Sequence, residues 1–164
     1  MQISIIIPLY FYNSYVKEMF VSLSNQSYQN FEIIIVVNGL DKTSFDRIEE
    51  EVRLIFLKKK CKLKFYFTLI KGANPAREFG LNKAEGNYVF FLDSDDQLQN
   101  KNSLSKIIKV IENSNPDVLS VNIQRASFVK KKLKLSSIVY SFLKNDELLH
   151  IDSHKNTILR NYGT

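Results

Sequence analysis

Short apolar runs alternate along this chain with longer segments in which apolar residues recur every three or four positions. The short runs are rich in β-branched residues and predict strands over residues 3–7, 31–37, 63–68, 88–92 and 118–123. Their apolar character is continuous, which is typical of strands that are buried on both faces of a parallel sheet. A further run, 128–135, is predicted to pair with a neighbouring strand.

The longer segments predict helices, and residues with known capping preferences mark their ends. Helical periodicity covers residues 15–23, 45–57, 75–84 and 104–111, and a helical pattern returns from about 139 onward. Ser14 is the predicted N-cap of the first helix. Asn74 is the predicted N-cap of the third, with Pro75 in its first turn. Gly86 is predicted to form a left-handed turn after that helix.

The alternation of strands and helices predicts an α/β fold with a mainly parallel sheet and helices on both faces. In such a sheet, ligands bind beyond the carboxyl ends of the strands. Polar clusters follow three of the predicted strands, at residues 8–13, 38–41 and 93–96, and a fourth opens a helix at 74–77. The convergence of these four clusters predicts a binding site at one edge of the sheet.

The most distinctive cluster is Asp93-Ser94-Asp95-Asp96, which places three carboxylates within four residues after an apolar strand. Neighbouring carboxylates repel one another unless a positive charge neutralises them. Mg²⁺ or Mn²⁺ suits this role, because such an ion takes one or two carboxylates and completes its shell with diphosphate oxygens. The alternative is a solvated loop that caps the helix beginning near Ser103.

Length and composition are those of one ordinary globular domain, with 164 residues, 45% hydrophobic and 24% charged. The single cysteine, Cys61, forms no disulfide within the chain and favours a reducing compartment. Lysines around it favour a lowered thiol pKa, but no partner is evident, so we interpret it as incidental. The apolar start, 1–9, is too short to span a bilayer and lacks a basic leader region. We therefore expect a cytoplasmic protein.

The net charge is +6, and much of it comes from two lysine-rich runs at 58–62 and 130–134. One interpretation is peripheral association with anionic lipids at the inner face of a membrane. The other, favoured by the usual behaviour of charge runs, is a solvated helix end and a solvated hairpin. Nucleic-acid binding has only the net charge in its favour, because no recognisable module is present.

Two other enzyme classes fit poorly. A haloacid-dehalogenase-like phosphatase carries its Asp-x-Asp after the first strand, whereas here the acidic loop follows the fourth. A dinucleotide-binding oxidoreductase needs Gly-x-Gly-x-x-Gly after the first strand, and residues 8–14 contain no glycine.

Four motifs, in order, resemble those of family 2 glycosyltransferases over about residues 3–122. They are Ser-Ile-Ile-Ile-Pro-Leu-Tyr at 4–10, Gln-Ser-Tyr-Gln-Asn-Phe-Glu-Ile-Ile-Ile-Val at 26–36, Ala-Arg-Glu-Phe-Gly-Leu-Asn-Lys-Ala-Glu-Gly-Asn-Tyr at 76–88, and Phe-Leu-Asp-Ser-Asp-Asp at 91–96. The resemblance implies a Rossmann-like GT-A fold, with a nucleotide-sugar-binding core over 1–125. Residues 126–164 would be a hairpin and the helical start of an acceptor region.

The resemblance also implies the reaction and the site. The enzyme would take a sugar from a nucleotide-sugar, expected to be UDP-linked, with Mn²⁺ or Mg²⁺. It would transfer this sugar with inversion to a hydroxyl of a glycan or lipid-linked acceptor, in bacterial surface polysaccharide synthesis. The implied metal ligands are Asp95 and Asp93. The residues implied to bind nucleotide are Pro8, Tyr10, Asn38, Arg77, Asp93 and Ser94.

Several positions depart from the family pattern. Val37-Asn38-Gly39 stands where two aspartates usually precede the glycine, Phe11 follows Tyr10, and Glu78 follows Arg77. Asn38 can still accept a hydrogen bond from a base through its amide oxygen.

The usual catalytic base, an acid in the acceptor region, has no clear counterpart, so we expect it beyond Thr164 in a longer protein. Asp146 and Glu147 are weak candidates because acids are ordinary at helix starts. His150 and His154 have metal-ligand spacing but no third ligand nearby. The alternative function is a non-catalytic nucleotide-binding fragment, or a degenerate relative that lacks the base.

Overall fold

The computed structural model describes residues 1–121, 123–129 and 132–140. The chain divides into a compact unit over Met1–Asn113 and a second unit that begins at Ser114. The first unit contains four strands and four helices in alternation. They are β1 (Ile3–Leu9), α1 (Ser14–Ser24), β2 (Phe31–Asn38), α2 (Lys42–Ile55), β3 (Lys62–Thr68), α3 (Ala73–Leu81), β4 (Tyr88–Phe91) and α4 (Ser103–Ser114).

The four strands form one parallel sheet in the order β3-β2-β1-β4. In this register Ile5 of β1 lies between Ile33 of β2 and Phe90 of β4. The predicted parallel sheet is confirmed, and each of its four strands was located to within two residues at either end. The two central strands are buried along their whole length, which explains their unbroken apolar sequence.

Helices cover both faces of the sheet, as predicted. Odd-numbered residues of the central strands point into a large core that also holds Phe20 of α1, Ile48 of α2 and Leu104 of α4. Even-numbered residues point to the other face, where Ile6 and Ile34 pack with Ala76 of α3. The two-residue period of a strand therefore divides one apolar run between two cores.

Helix α3 lies unusually close to the sheet because of a glycine. A Cβ on Gly80 would lie only 2.5 Å from Cγ2 of Ile6. Gly86, after the helix, is required for the same reason rather than for a left-handed turn, since its φ is not positive. A Cβ there would lie 2.7 Å from the backbone nitrogen of Ser4. The left-handed prediction for Gly86 was wrong, and close approach of two backbones is the cause.

Two predicted N-caps were also wrong. Asn13 caps α1, because its Oδ1 accepts hydrogen bonds from the amides of Tyr15 and Val16 at 3.0 and 3.1 Å. Helix α3 begins at Ala73 after Gly72, whose φ is 116°. Asn74 therefore lies inside the first turn, and its side chain is free to act elsewhere. The helix ends at Leu81 rather than near residue 84.

In the second unit, β5 (Ile123–Val129) and β6 (Lys132–Tyr140) pair as an antiparallel hairpin. The predicted fifth strand over 118–123 was wrong. Residues 118–121 do not form a strand, and β5 begins only at Ile123. Asn115 has a φ of 43°, and Val118 is 68% exposed. Val118, Val121 and Ile123 are all exposed in the part of the chain that the structure describes, so the run forms no buried strand. The helical pattern predicted from 139 begins inside β6, and its remainder lies outside the described residues.

Candidate functional site

The carboxyl edge of the sheet brings three of the predicted polar clusters together. Leu9 pairs with Val37, so Tyr10 and Asn38 follow neighbouring strand ends. The amide of Leu92 donates to the carbonyl of Ile6 at 3.0 Å, which continues the β1–β4 pairing up to the acidic loop. The polar residues after β1, β2 and β4 therefore lie along one edge, in the order set by the sheet.

Tyr10 and Pro8 differ in their availability to a ligand. Tyr10 is 60% exposed, and its ring meets Phe11 edge to face, with centroids 4.6 Å apart. It is therefore not a core aromatic. Pro8, in contrast, is buried within β1, opposite Val36. It does not end the strand, which continues to Leu9.

Asn38 is the last residue of β2 and is almost fully buried, with 1% of its surface exposed. Its Nδ2 donates to the carbonyl of Gly72 at 2.9 Å, and it lies 3.5 Å from the carbonyl of Ile70. Its Oδ1 has no partner among the described residues. If the amide were rotated by 180°, its oxygen would face these two carbonyl oxygens and repel them. The surroundings therefore identify the atom that faces the carbonyls as nitrogen.

A buried acceptor without a partner costs free energy, about 1–3 kcal/mol. Native proteins contain few such groups, and each calls for an explanation. Gly39 follows with a φ of 76°, a conformation that favours glycine. The stem of Lys71 lies over this glycine, with its Cγ 3.1 Å from where a Cβ would stand. A flexible side chain thus covers the turn beside the unsatisfied oxygen.

Arg77 links the first turns of α3 to the acidic loop. Its Nη2 donates to Oδ1 of Asp93 at 2.5 Å, and its Nη1 donates to Oδ1 of Asn74 at 2.8 Å. Asn74, predicted as a helix cap, instead orients this arginine. Both members of the ion pair keep some exposure, with side chains 28% and 47% exposed. The guanidinium therefore remains accessible to an anion.

The acidic loop begins half-buried and turns outward. Asp93 is half-buried, Ser94 is buried, and Asp95 and Asp96 are exposed. The amide of Asp96 donates to the carbonyl of Asp93 at 3.0 Å, which closes a tight turn. The Asp96 side chain reaches solvent, but the protein around its carboxylate is the largest cause that raises its pKa, and the negative charges of Asp95 and Asp93 follow. The loop therefore concentrates negative charge beside the Arg77–Asp93 ion pair.

The acidic loop does not cap α4. The amide of Leu104, in the first turn, donates instead to Oε1 of Gln26 at 3.0 Å, and the amide of Ser103 donates to the carbonyl of Asn100 at 3.2 Å. After the acidic loop, the amide of Leu98 donates to Oγ of Ser22 in α1 at 3.2 Å. Helix capping, the alternative role considered for these carboxylates, is therefore taken by Gln26 and a backbone carbonyl.

Within the described ranges, no three His, Cys, Asp or Glu side chains are grouped as a ready-made metal centre. Asp93 and Asp95 have the oxygen chemistry that Mg²⁺ or Mn²⁺ prefers. With Asp96 they place three carboxylates within four residues, a donor set that suits an ion which also holds a diphosphate.

A buried polar network at the opposite edge of the sheet was not found from the sequence. Glu32 is fully buried and accepts hydrogen bonds from Oγ of Ser4 at 2.6 Å and from the amide of Glu85 at 2.7 Å. Lys64 lies 2.8 Å from carboxylate oxygens of both Glu32 and Glu85. The signal in the sequence that could have revealed this network was the single acid, Glu32, within a strand that is otherwise mostly apolar.

The sequence also offered Cys61 and four residues near the end of the chain as candidates. Burial raises the pKa of the Cys61 thiol to about 11, so the lowered pKa that its lysine neighbours favoured was wrong. Asp146, Glu147, His150 and His154 lie outside the described residues. No helix in the part of the chain that the structure describes has the length and apolar content to cross a bilayer.

Comparison with known proteins gives a consistent result. The family model described as Glycosyl transferase family 2 matches residues 4–161. An uncharacterized glycosyltransferase of Haemophilus influenzae is 42% identical over 99 residues, which cover 60% of this chain and 38% of that protein. The poly(ribitol-phosphate) beta-N-acetylglucosaminyltransferase TarS of Staphylococcus aureus is 32% identical over 124 residues, covering 76% of this chain and 21% of TarS.

A solved structure agrees in fold. The crystal structure of S. aureus TarS 1-349 in complex with UDP-GlcNAc superposes with a TM-score of 0.65 at 27% identity, covering 80% of this chain and 36% of that one. This chain thus spans less than two fifths of the length of these similar proteins.

Proposed function

Because this chain belongs to glycosyl transferase family 2, we propose that its carboxyl edge binds a UDP-linked sugar together with Mn²⁺ or Mg²⁺. The sugar passes to a hydroxyl of a glycan or lipid-linked acceptor with inversion. The nucleotide-binding core covers about residues 1–125, and residues 126–164 begin the acceptor region. The support for a uridine donor is the likeness to TarS, whose structure is a complex with UDP-GlcNAc.

One observation carries the proposal: a series of side-chain contacts joins the end of β2 to the loop after β4. Asn38 binds the carbonyl of Gly72, which immediately precedes α3. Arg77, near the start of the same helix, binds Asp93. Residues that the family pattern assigns to base, diphosphate and metal are thus held in one region before any ligand arrives, which lowers the entropic cost of binding.

Asn38 supports recognition of the base. Its nitrogen is committed to backbone carbonyls, so only the oxygen remains for a ligand. An acceptor-only group selects a base that presents N–H, as the imino group of uracil does. Movement of the Lys71 stem, which covers the adjacent Gly39, would open the way to this oxygen.

Arg77 and the acidic loop support recognition of the diphosphate. A guanidinium matches phosphate oxygens in a forked geometry, and the remaining exposure of Arg77 leaves room for them. Asp95 and Asp93 would hold the cation, which when bound supplies positive charge to offset the departing diphosphate. Arg77 stabilises the same negative charge as the bond between sugar and diphosphate breaks.

In the transfer itself, the acceptor oxygen forms a bond to the anomeric carbon on the face opposite the departing diphosphate. The acceptor hydroxyl loses its proton to a base that we place in the acceptor region. We further propose that the complete protein acts in bacterial surface polysaccharide synthesis, at the cytoplasmic face of the membrane. The name of TarS, a poly(ribitol-phosphate) beta-N-acetylglucosaminyltransferase, supports a polymeric acceptor that presents hydroxyls.

Calorimetric titration of UDP, with and without Mn²⁺, tests this function. We expect binding that Mn²⁺ strengthens by about tenfold or more, since the ion bridges protein and diphosphate. Asp95→Ala should remove that gain, whereas Glu50→Ala, which changes an exposed acid on α2, should retain it. Equal UDP affinity in all of these titrations would refute the assignment of the metal to Asp95.

A further inference from the structure

Two large aliphatic side chains are exposed beside the nucleotide site. Leu69 and Ile70 directly follow β3, and they are 76% and 64% exposed. Neither belongs to either apolar core. Isolated exposed leucines are common, but an adjacent pair at the edge of a polar site suggests a ligand contact.

The backbone of this loop is fixed even though its side chains are exposed. The amide of Ile70 donates to Oγ1 of Thr68 at 3.2 Å, and the amide of Gly39 donates to the carbonyl of Thr68 at 3.2 Å. The carbonyl of Ile70 faces Nδ2 of Asn38 at 3.5 Å. These are main-chain contacts at residue 70, so the loop conformation does not depend on the aliphatic side chains.

The strand order places these residues on one side of Asn38 and Tyr10 on the other. β2 lies between β3 and β1, Asn38 pairs with Thr68, and Leu9 pairs with Val37. The unsatisfied Oδ1 of Asn38 therefore belongs to a side chain flanked by an exposed aromatic ring and an exposed aliphatic pair. A planar heterocycle has the matching chemistry, with two apolar faces and an edge that bears N–H.

We propose that Leu69 and Ile70 form an aliphatic wall that contacts the face of the donor's nucleobase opposite to Tyr10. The inference rests on the proposed function, and it extends that function by assigning base affinity to two residues outside the four family motifs. Burial of apolar surface by the base supplies the affinity. The Asn38 oxygen then selects among bases that are already held between the two walls.

Calorimetry on single variants tests the wall separately from the rest of the site. Leu69→Ala and Ile70→Ala should each weaken UDP binding in the presence of Mn²⁺ by about three- to tenfold, in keeping with the apolar area removed. Binding of pyrophosphate with Mn²⁺ should stay unchanged, because this ligand has no base. Leu69→Met, which keeps the apolar area, should restore most of the UDP affinity.

Leu57→Ala is the matched control, because Leu57 is 75% exposed but follows the far end of α2. Thermal melting should be the same for all four variants, since none of these side chains is buried. Unchanged UDP affinity in both alanine variants, with the wild type still binding UDP, would refute the wall but leave the proposed function standing. An equal loss of pyrophosphate binding would also refute it. A wild type that binds no UDP would defeat both proposals.

Discussion

Arg77 donates from Nη2 to Oδ1 of Asp93 across 2.5 Å, and the two residues are 16 positions apart. The segment between them runs down α3, turns at the opposite edge of the sheet, and returns along β4. The two ends of this segment thus meet at the carboxyl edge, where the guanidinium and the carboxylate form an ion pair. Under the proposed function, a diphosphate would meet an arginine whose geometry is already set by Asp93 and Asn74.

Replacing Arg77 should weaken donor binding without unfolding the protein. We expect Arg77→Ala to reduce UDP affinity by about tenfold or more, because a charge-assisted bidentate contact is lost. Arg77→Lys should recover only part of it, since lysine lacks the forked geometry. The melting temperature should change little, because half-exposed ion pairs contribute at most about 1 kcal/mol. Arg47→Ala, at a site that is 80% exposed, serves as the control, and an equal effect there would contradict the assignment.

Asn38 should make the site prefer uracil over cytosine. Uracil presents an imino N–H to the amide oxygen, whereas the corresponding nitrogen of cytosine is an acceptor and would repel it. We expect UDP to bind about tenfold or more tightly than CDP, as a buried acceptor without a partner costs about 1–3 kcal/mol. Competition of UDP and CDP for the wild type and Asn38→Ala measures this. Equal affinities for the wild type, or an unchanged preference in the variant, would show that Asn38 does not select the base.

The network around Glu85 should make folding stability fall at acid pH. Hydrogen bonds from Lys64 and then Lys62 lower the pKa of Glu85 from 4.5 to about 2. Burial alone would raise the pKa of Glu32, but hydrogen bonds from Lys64, Ser4 and the Glu85 amide outweigh it and lower that pKa. A carboxylate whose pKa is lower in the folded than in the unfolded state stabilises the fold at any pH above its unfolded pKa. This stabilisation is lost as the pH falls through the pKa of the folded state.

Urea unfolding between pH 6 and about pH 2 measures this dependence. The loss should begin as the pH drops below about 4.5 and continue toward about 2. Glu85→Gln should flatten the profile, and Glu50→Gln should not. If the free energy of unfolding of the wild type stays level down to pH 3, these carboxylates do not contribute to folding stability.

Gly86 should be intolerant of any side chain. An added Cβ would lie 2.7 Å from both the nitrogen and Oγ of Ser4 and 2.9 Å from the carbonyl of Gln2. We expect Gly86→Ala to lower the free energy of unfolding by about 1–3 kcal/mol, as overpacking usually does. Asn82→Ala changes an exposed residue nearby and should cost far less. If the two variants melt at the same temperature, the backbone at Gly86 does not approach that of Ser4 as closely as described.

Strands were located well from the sequence and helix starts less well, for different physical reasons. Strands β1 and β2 are buried on both faces, so every residue in them must be apolar or internally paired, and the run is visible by itself. Asn13 and Ser14 are both good N-caps, and local preference does not decide between them. Asn74 was misassigned because α3 begins one residue before it, at Ala73 after Gly72, and the Asn74 side chain accepts from Arg77 instead. The run 118–123 was misassigned because its apolar residues stay exposed within the described ranges, and a local pattern does not reveal exposure.

The sequence by itself determined the alternation of strands and helices, the parallel sheet and the polar residues at its carboxyl edge. These features follow from the period of apolar residues and from residues that are neighbours in the chain. Only the tertiary structure decided the strand order, the pairing of Arg77 with Asp93 and the orientation of the Asn38 amide. Each of these depends on contacts between residues that are far apart in sequence, and many different pairings satisfy the same local pattern.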